Sequence, residues 1–149
     1  MHAGSWLHTD KSARHEQNMQ KLRDNNRCYV CGMENSAGLH VAFEVVAGQR
    51  SIRARFIPAP DHQGFEGMVH GGILSAVLDE TMAKLAYVLG IPAVTAQLEI
   101  TFKAPAAPGD ELSISGSIVS ESKRLVLAEA RIERGPMLIA EAKGKLVRL

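Results

Sequence analysis

At 149 residues, 46% hydrophobic and 22% charged, the chain has the size and composition of one folded domain, not of a disordered segment. A formal charge of +1 excludes the strong basic footprint of a nucleic-acid-binding surface or of a protein drawn to acidic membranes. No apolar run approaches the ~18 residues that span a bilayer. Met1 to Arg27 is polar, without the apolar stretch of a secretion signal, so the expected address is cytoplasmic.

Residues 1–27 carry Trp6, Leu7, Met19 and Leu22 but no sustained apolar stripe. They are expected to form an arm, with at most a short helix near 12–24, preceding a single domain over 28–149. That domain opens on Cys28-Tyr29-Val30-Cys31-Gly32. A Cys-x-x-Cys pair can be half of a zinc site or a redox dithiol. No second cysteine pair or His-x-x-x-His supplies further ligands, and Gly32, Asn35 and Gly38 read as turn instead of a helix start. The pattern favours two thiols packed in a turn, a metal shared between subunits being the alternative.

Leu39, Val41, Phe43 and Val45 alternate with other residues and predict a strand, closed by the Ala47-Gly48 turn. Ile52, Ala54 and Phe56, alternating with Arg53 and Arg55, predict a second that stops at Pro58-Ala59-Pro60. A stretch with Gly64, Gly67, Gly71 and Gly72 leads into the one long helical pattern, His70 to Leu89, ended by Gly90 and Pro92. Val94 to Phe102, where Val94, Ala96, Leu98, Ile100 and Phe102 alternate with Thr95, Gln97, Glu99 and Thr101, then Leu112 to Ile118, Leu125 to Ile132 and Leu138 to Val147 read as four strands. Four consecutive strands on short connections predict an antiparallel meander with one face in need of cover. The long helix is the cover available. The expected class is α+β, a curved antiparallel sheet wrapped around one long central helix.

At 100° per residue, Leu74, Val77, Leu78, Leu85, Val88 and Leu89 share one broad arc of the helix, the face for the sheet. Gly72, Ser75, Ala76, Ala83 and Ala86 share the opposite arc, with Asp79 in its middle. A mid-helix aspartate is weaker than alanine by several tenths of a kcal/mol and needs partners if buried. Glu80 points elsewhere and has Lys84 four residues on, which suits a solvated ion pair. Asp79 is therefore the functional candidate of the two acids.

His70-Gly71-Gly72 stands at the helix N-terminus, where free N–H groups and the positive end of the helix dipole suit an oxyanion. Glycines there let a carbonyl approach without meeting a Cβ. Asp79 follows His70 by nine residues, about 13 Å along the axis at ~1.5 Å each. One helix cannot hold a carbonyl at its head and attack it with that same aspartate. Two antiparallel helices meeting along their small faces can, which predicts a twofold homodimer with two shared active sites.

His62-Gln63-Gly64-Phe65-Glu66-Gly67-Met68-Val69-His70-Gly71-Gly72 followed by Asp79-Glu80 resembles the hotdog thioesterase superfamily, in its phenylacetyl-CoA and 4-hydroxybenzoyl-CoA thioesterase-like branch. Thr95 to Pro105 resembles that family's strand after the helix, and Cys28 to Leu39 the N-terminal part of many members. The likeness covers roughly residues 28–149. It implies a hotdog fold and hydrolysis of an acyl-CoA substrate. The Gly71 N–H, with Gly72, would polarise the thioester carbonyl. The partner subunit's Asp79 would be general base or nucleophile, Thr95 would help hold the water, and His70 would orient the helix-start loop. Many relatives carry Asn or Gln where this chain has Gly64, and Gln63 or His62 is expected to substitute as the polar residue that contacts substrate.

Thioester hydrolysis needs an attacking water or carboxylate and a donor for the oxyanion, so neither metal nor cofactor is expected. A hotdog hydratase or dehydratase pairing His70 with Asp79, and a non-catalytic acyl-CoA-binding protein, are the alternatives. Pairing of dimers into tetramers stays open. Lys103, Lys123 and Arg124 are equally suited to CoA phosphates or to solvated strand ends.

Overall fold

The computed structural model describes Ala13 and residues 22–149, so most of the N-terminal arm, including the helix expected near 12–24, lies outside the described residues. The elements are β1 (Phe43–Val45), β2 (Ser51–Phe56), a 3-10 turn (Pro60–His62), α1 (Gly71–Val88), β3 (Ala93–Phe102), β4 (Leu112–Glu121), β5 (Leu125–Arg134) and β6 (Met137–Arg148). The six strands form one antiparallel sheet in the order β1-β2-β4-β5-β6-β3, and α1 packs across it. Among the described residues no helix is long and apolar enough to cross a membrane.

Alternation makes the sheet. Leu112 and Ile114 of β4, Val126, Ala128, Ala130 and Ile132 of β5, and Ala140, Ala142 and Leu146 of β6 are buried while residues between them face outward. From above, α1 buries Leu74, Val77, Leu78, Thr81, Met82, Leu85 and Ala86. Each large aliphatic side chain so covered contributes about 1.5–3 kcal/mol of transfer free energy before entropy is counted. Two strand glycines set how closely helix and sheet approach. A Cβ on Gly116 would lie 2.6 Å from Thr81 Cγ2, and one on Gly144 would lie 2.8 Å from Met82 Sδ.

Four expectations need correction. The last four strands are not a simple meander: β4, β5 and β6 are, but β3 pairs with the far side of β6, and β4 pairs with β2. The β3–β4 connection therefore crosses the end of the sheet. Arg134 fastens it there, donating to Asp110 Oδ2 at 2.6 Å and to the Pro105 carbonyl at 3.2 Å. The first strand is only Phe43–Val45, because His40 takes a left-handed φ of 54°. Leu39 and Val41 are buried as expected, but their N–H groups donate to Tyr29 and Val30 carbonyls, outside the sheet. On α1, Val88 is exposed and Ala86, placed on the small face, is fully buried. Thr81 and Met82 complete the sheet-facing stripe instead.

The fourth correction concerns parity along β3. Strict alternation sets Thr95 against Leu98 and Ile100, on the opposite face. The ladder to β6 shifts between Thr95 and Gln97, leaving Ala96 as the extra residue of a bulge. The bulge exchanges faces, so Thr95 shares the side of α1 with Leu98 and Ile100, which pack against the core.

Candidate active site

The head of α1 is built by His70. Its backbone is extended (φ −61°, ψ 131°) and its ring Nδ1 accepts the Gly72 N–H at 2.7 Å, capping the helix. The His70 carbonyl accepts the Ile73 and Leu74 N–H groups at 3.0 and 3.3 Å. The Gly71 N–H has no acceptor among the described residues, which leaves it as the open donor at the positive end of the helix. A Cβ on Gly71 would stand 3.4 Å from the ring of Phe102, half-exposed on β3.

The preceding loop supports that head. Gly64 backs onto the His70 ring, where a Cβ would lie 3.2 Å from Cδ2. A side chain at 64 would need the imidazole to give by a few tenths of an ångström. Gln63 Oε1 accepts the Gly67 N–H at 3.0 Å. His62 Nδ1 accepts the Ala59 N–H at 2.9 Å, its ring lies 5.7 Å from that of Phe56, and its carbonyl accepts the His70 N–H. His62, Gln63, Gly64, His70, Gly71 and Gly72 thus form one cluster. In it the polar side chains of His62 and Gln63 shape the loop.

Asp79 belongs to a second cluster. It lines an open cleft of about 590 Å³ together with Thr95, Glu80, Cys28, Cys31 and Lys84. Its Oδ1 is buried and has no hydrogen-bond partner among the described residues. A buried acceptor without a donor costs on the order of 1–3 kcal/mol unless something outside the chain supplies one. Gly71 to Asp79 is continuous helix, and its eight steps of ~1.5 Å set the two sites about 12 Å apart along the axis. Within one chain the structure brings Asp79 to Thr95 and does not bring either to Gly71.

Glu80 does not take the solvated position expected of it. It is half-buried, and Cys31 Sγ donates to its Oε1 at 3.0 Å. Lys84 pairs with Asp24 instead, at 2.9 Å. Burial raises the Glu80 carboxyl above its ordinary range, against the thiol hydrogen bonds of Cys31 and Cys28 and the nearby Lys84, which pull it down. Burial, then the Glu80 carboxylate, pushes the Cys31 thiol well above the usual thiol range. Burial works against the Lys84 charge, but Asp24, Cys31 and Glu80 outweigh it and hold the ammonium above its ordinary value. The hydrogen bond from Lys84, then that from the Asn26 N–H, holds Asp24 below the usual carboxylate range. This group was missed because its members lie 49 residues or more apart from cysteine to acid. The available signal was the acid pair Asp79-Glu80, whose second member points away from the first.

Residues 66–140 match the model of the thioesterase superfamily. Human acyl-coenzyme A thioesterase 13 is 28% identical over 89 residues, covering 58% of this chain and 59% of that protein. The chain thus spans about three-fifths of the length of that curated relative. The PaaI protein from the phenylacetic acid degradation operon of E. coli superposes with a TM-score of 0.74 at 20% identity, over 92% of this chain and 99% of its own. Zebrafish thioesterase superfamily member 2 gives 0.70 at 20%, over 80% and 92%. Both share the fold described above.

Proposed function

Because the chain belongs to the thioesterase superfamily, we propose that it hydrolyses an acyl-CoA thioester to the free acid and CoA, in two active sites shared across a homodimer. The observation that carries the reading is the buried Oδ1 of Asp79, set about 12 Å along α1 from the Gly71 N–H, both without a hydrogen-bond partner among the described residues. A twofold partner with its α1 antiparallel brings each aspartate to the other chain's helix head. Strand β3 supports the same assembly. It is ten residues long and ends the sheet order, so its outer edge is open to pairing with its counterpart.

The chemistry follows from the two groups. The thioester carbonyl oxygen accepts from the Gly71 N–H, and charge developing on it is stabilised by that donor and the helix dipole. The partner chain's Asp79 takes a proton from water held with Thr95, and the resulting hydroxide attacks the carbonyl carbon. The tetrahedral intermediate collapses, the C–S bond breaks, and the sulfur leaves as the CoA thiolate without needing a strong general acid. With Asp79 as nucleophile the same geometry yields a mixed anhydride, which water then hydrolyses to the acid. The His70 Nδ1 accepts the Gly72 N–H, which counts against a hydratase using that nitrogen as its base.

Thiol release from short-chain, long-chain and aryl-CoA substrates, by wild type and Asp79→Asn, tests the proposal. Turnover of at least one class is expected in wild type, with a loss of ~100-fold or more in the variant, the scale of an acid–base group. No thiol release from any class, or equal turnover in both proteins, would contradict it.

A further inference from the structure

In the same cleft as Asp79 and Thr95, but formed by other atoms, lies a group with the composition of a metal centre. One ligand atom each from Cys28, Cys31 and Glu80 lies within 4.8 Å of the other two. Around a tetrahedral zinc, with Zn–S of about 2.3 Å and Zn–O of about 2.1 Å, such atoms stand roughly 3.6–3.8 Å apart. The Cys31–Glu80 separation of 3.0 Å would open by about half an ångström to reach that range.

Two further features fit. The Cys28–Gly32 turn is held as a unit: the Gly32 N–H donates to the Cys28 carbonyl at 2.9 Å. A Cβ on Gly32 would lie 2.6 Å from both the Cys28 and the Asn26 carbonyl oxygens, so the turn closes only around glycine. It delivers both sulfurs to the same acid on α1. Glu80, in turn, is poorly matched without an ion. Its carboxylate offers about four acceptor sites, and the side-chain hydrogen bonds it receives among the described residues come from the Cys31 and Cys28 thiols, which are weak donors. Lys84, the cation on its own helix, is drawn to Asp24. Buried charges are ordinarily paired or bound to metal.

We propose that Cys28, Cys31 and Glu80 bind a thiophilic divalent cation, zinc above all, joining the Cys28–Gly32 turn to helix α1. Two thiolates and one carboxylate are a donor set that zinc favours and that magnesium or calcium does not. All three residues line the cleft, which leaves room for a water as fourth ligand. Binding releases the two thiol protons, and the resulting centre carries one net negative charge, which Lys84 in the same cleft complements. Two cysteines alone could not complete such a site. The third ligand is supplied by the fold.

The test uses the full chain, fully reduced, stripped by a chelator and titrated without oxygen with cobalt(II) and then zinc. One cobalt per chain is expected, with a sulfur-to-cobalt charge-transfer band and the intense visible bands of tetrahedral coordination, all abolished by zinc. Cys28→Ser with Cys31→Ser should remove the charge-transfer band. Glu80→Gln should keep it but weaken cobalt affinity by at least ~10-fold, the least that loss of an outer-shell partner costs. A weak, octahedral-type cobalt spectrum in wild type overturns the proposal, as does binding unchanged in the double serine variant or in Glu80→Gln. Should the double variant fail to fold by circular dichroism, the wild-type spectrum and Glu80→Gln decide the matter.

Discussion

The ring Nδ1 of His70 accepts the Gly72 N–H at 2.7 Å, which leaves the Gly71 N–H as the donor at the head of α1 without an acceptor among the described residues. Replacing His70 by Ala removes the cap and should cost about 1 kcal/mol of stability. His70→Asn, which can cap the same N–H, should recover most of it. Thermal unfolding of the three proteins measures this. Equal stability of the Ala and Asn variants would show that the ring does not act as a cap.

Gly116 lies under α1, where a Cβ would meet Thr81 Cγ2 at 2.6 Å, the Glu129 carbonyl at 3.3 Å and Ile52 Cγ2 at 3.4 Å. Thr81 is fully buried and its hydroxyl donates to the Val77 carbonyl, so it has little freedom to withdraw. Gly116→Ala should destabilise the fold by about 1–3 kcal/mol, the range for overpacking, although the new side chain is only one methyl group. Urea unfolding should show a lower midpoint with an unchanged slope.

The Ala107 N–H and then Arg134 hold the Asp110 carboxyl below the usual carboxylate range. Its folded pKa is depressed, so the stability it contributes is present above the ordinary aspartate value near ~3.9 and is lost as pH falls through the lower folded value. Asp110→Asn should therefore be less stable than wild type at neutral pH by about 1 kcal/mol, the scale of a partly exposed ion pair. The gap between the two should close as the pH is lowered below ~4. Thermal unfolding across that range reads it directly. A gap independent of pH would remove the charge from the account of the β3–β4 crossover.

Much of the fold is legible in the sequence because alternation and helical periodicity are local. Val126 to Ile132 announces β5, and Leu74, Val77, Leu78 and Leu85 announce the covered face of α1. What local pattern could not convey was partnership. The loop from Lys103 to Glu111 is as compatible with β3 beside β4 as with β3 beyond β6. The bulge at Ala96 inverts parity within a strand whose sequence alternates without a break. At the candidate site, Gly71 and Asp79 stand out in the sequence because glycine at a helix head and aspartate on a small face each need a reason. Glu80 was not, since Lys84 four residues on offered a sufficient local partner. Its actual neighbour is Cys31.

The central claim is that each active site draws its Gly71 and its Asp79 from different chains. Two inactive proteins test it: Asp79→Asn, and Gly71→Val, whose side chain would fill the approach to the helix head. Unfolded together in equal amounts and refolded, they should form mixed dimers with one intact site and one doubly disabled site. Thiol release from the best acyl-CoA substrate should then return to roughly a quarter of the wild-type value, half of the dimers being mixed. No recovery in the mixture, with mixed dimers confirmed by mass spectrometry, would place both groups in one chain and contradict the shared site.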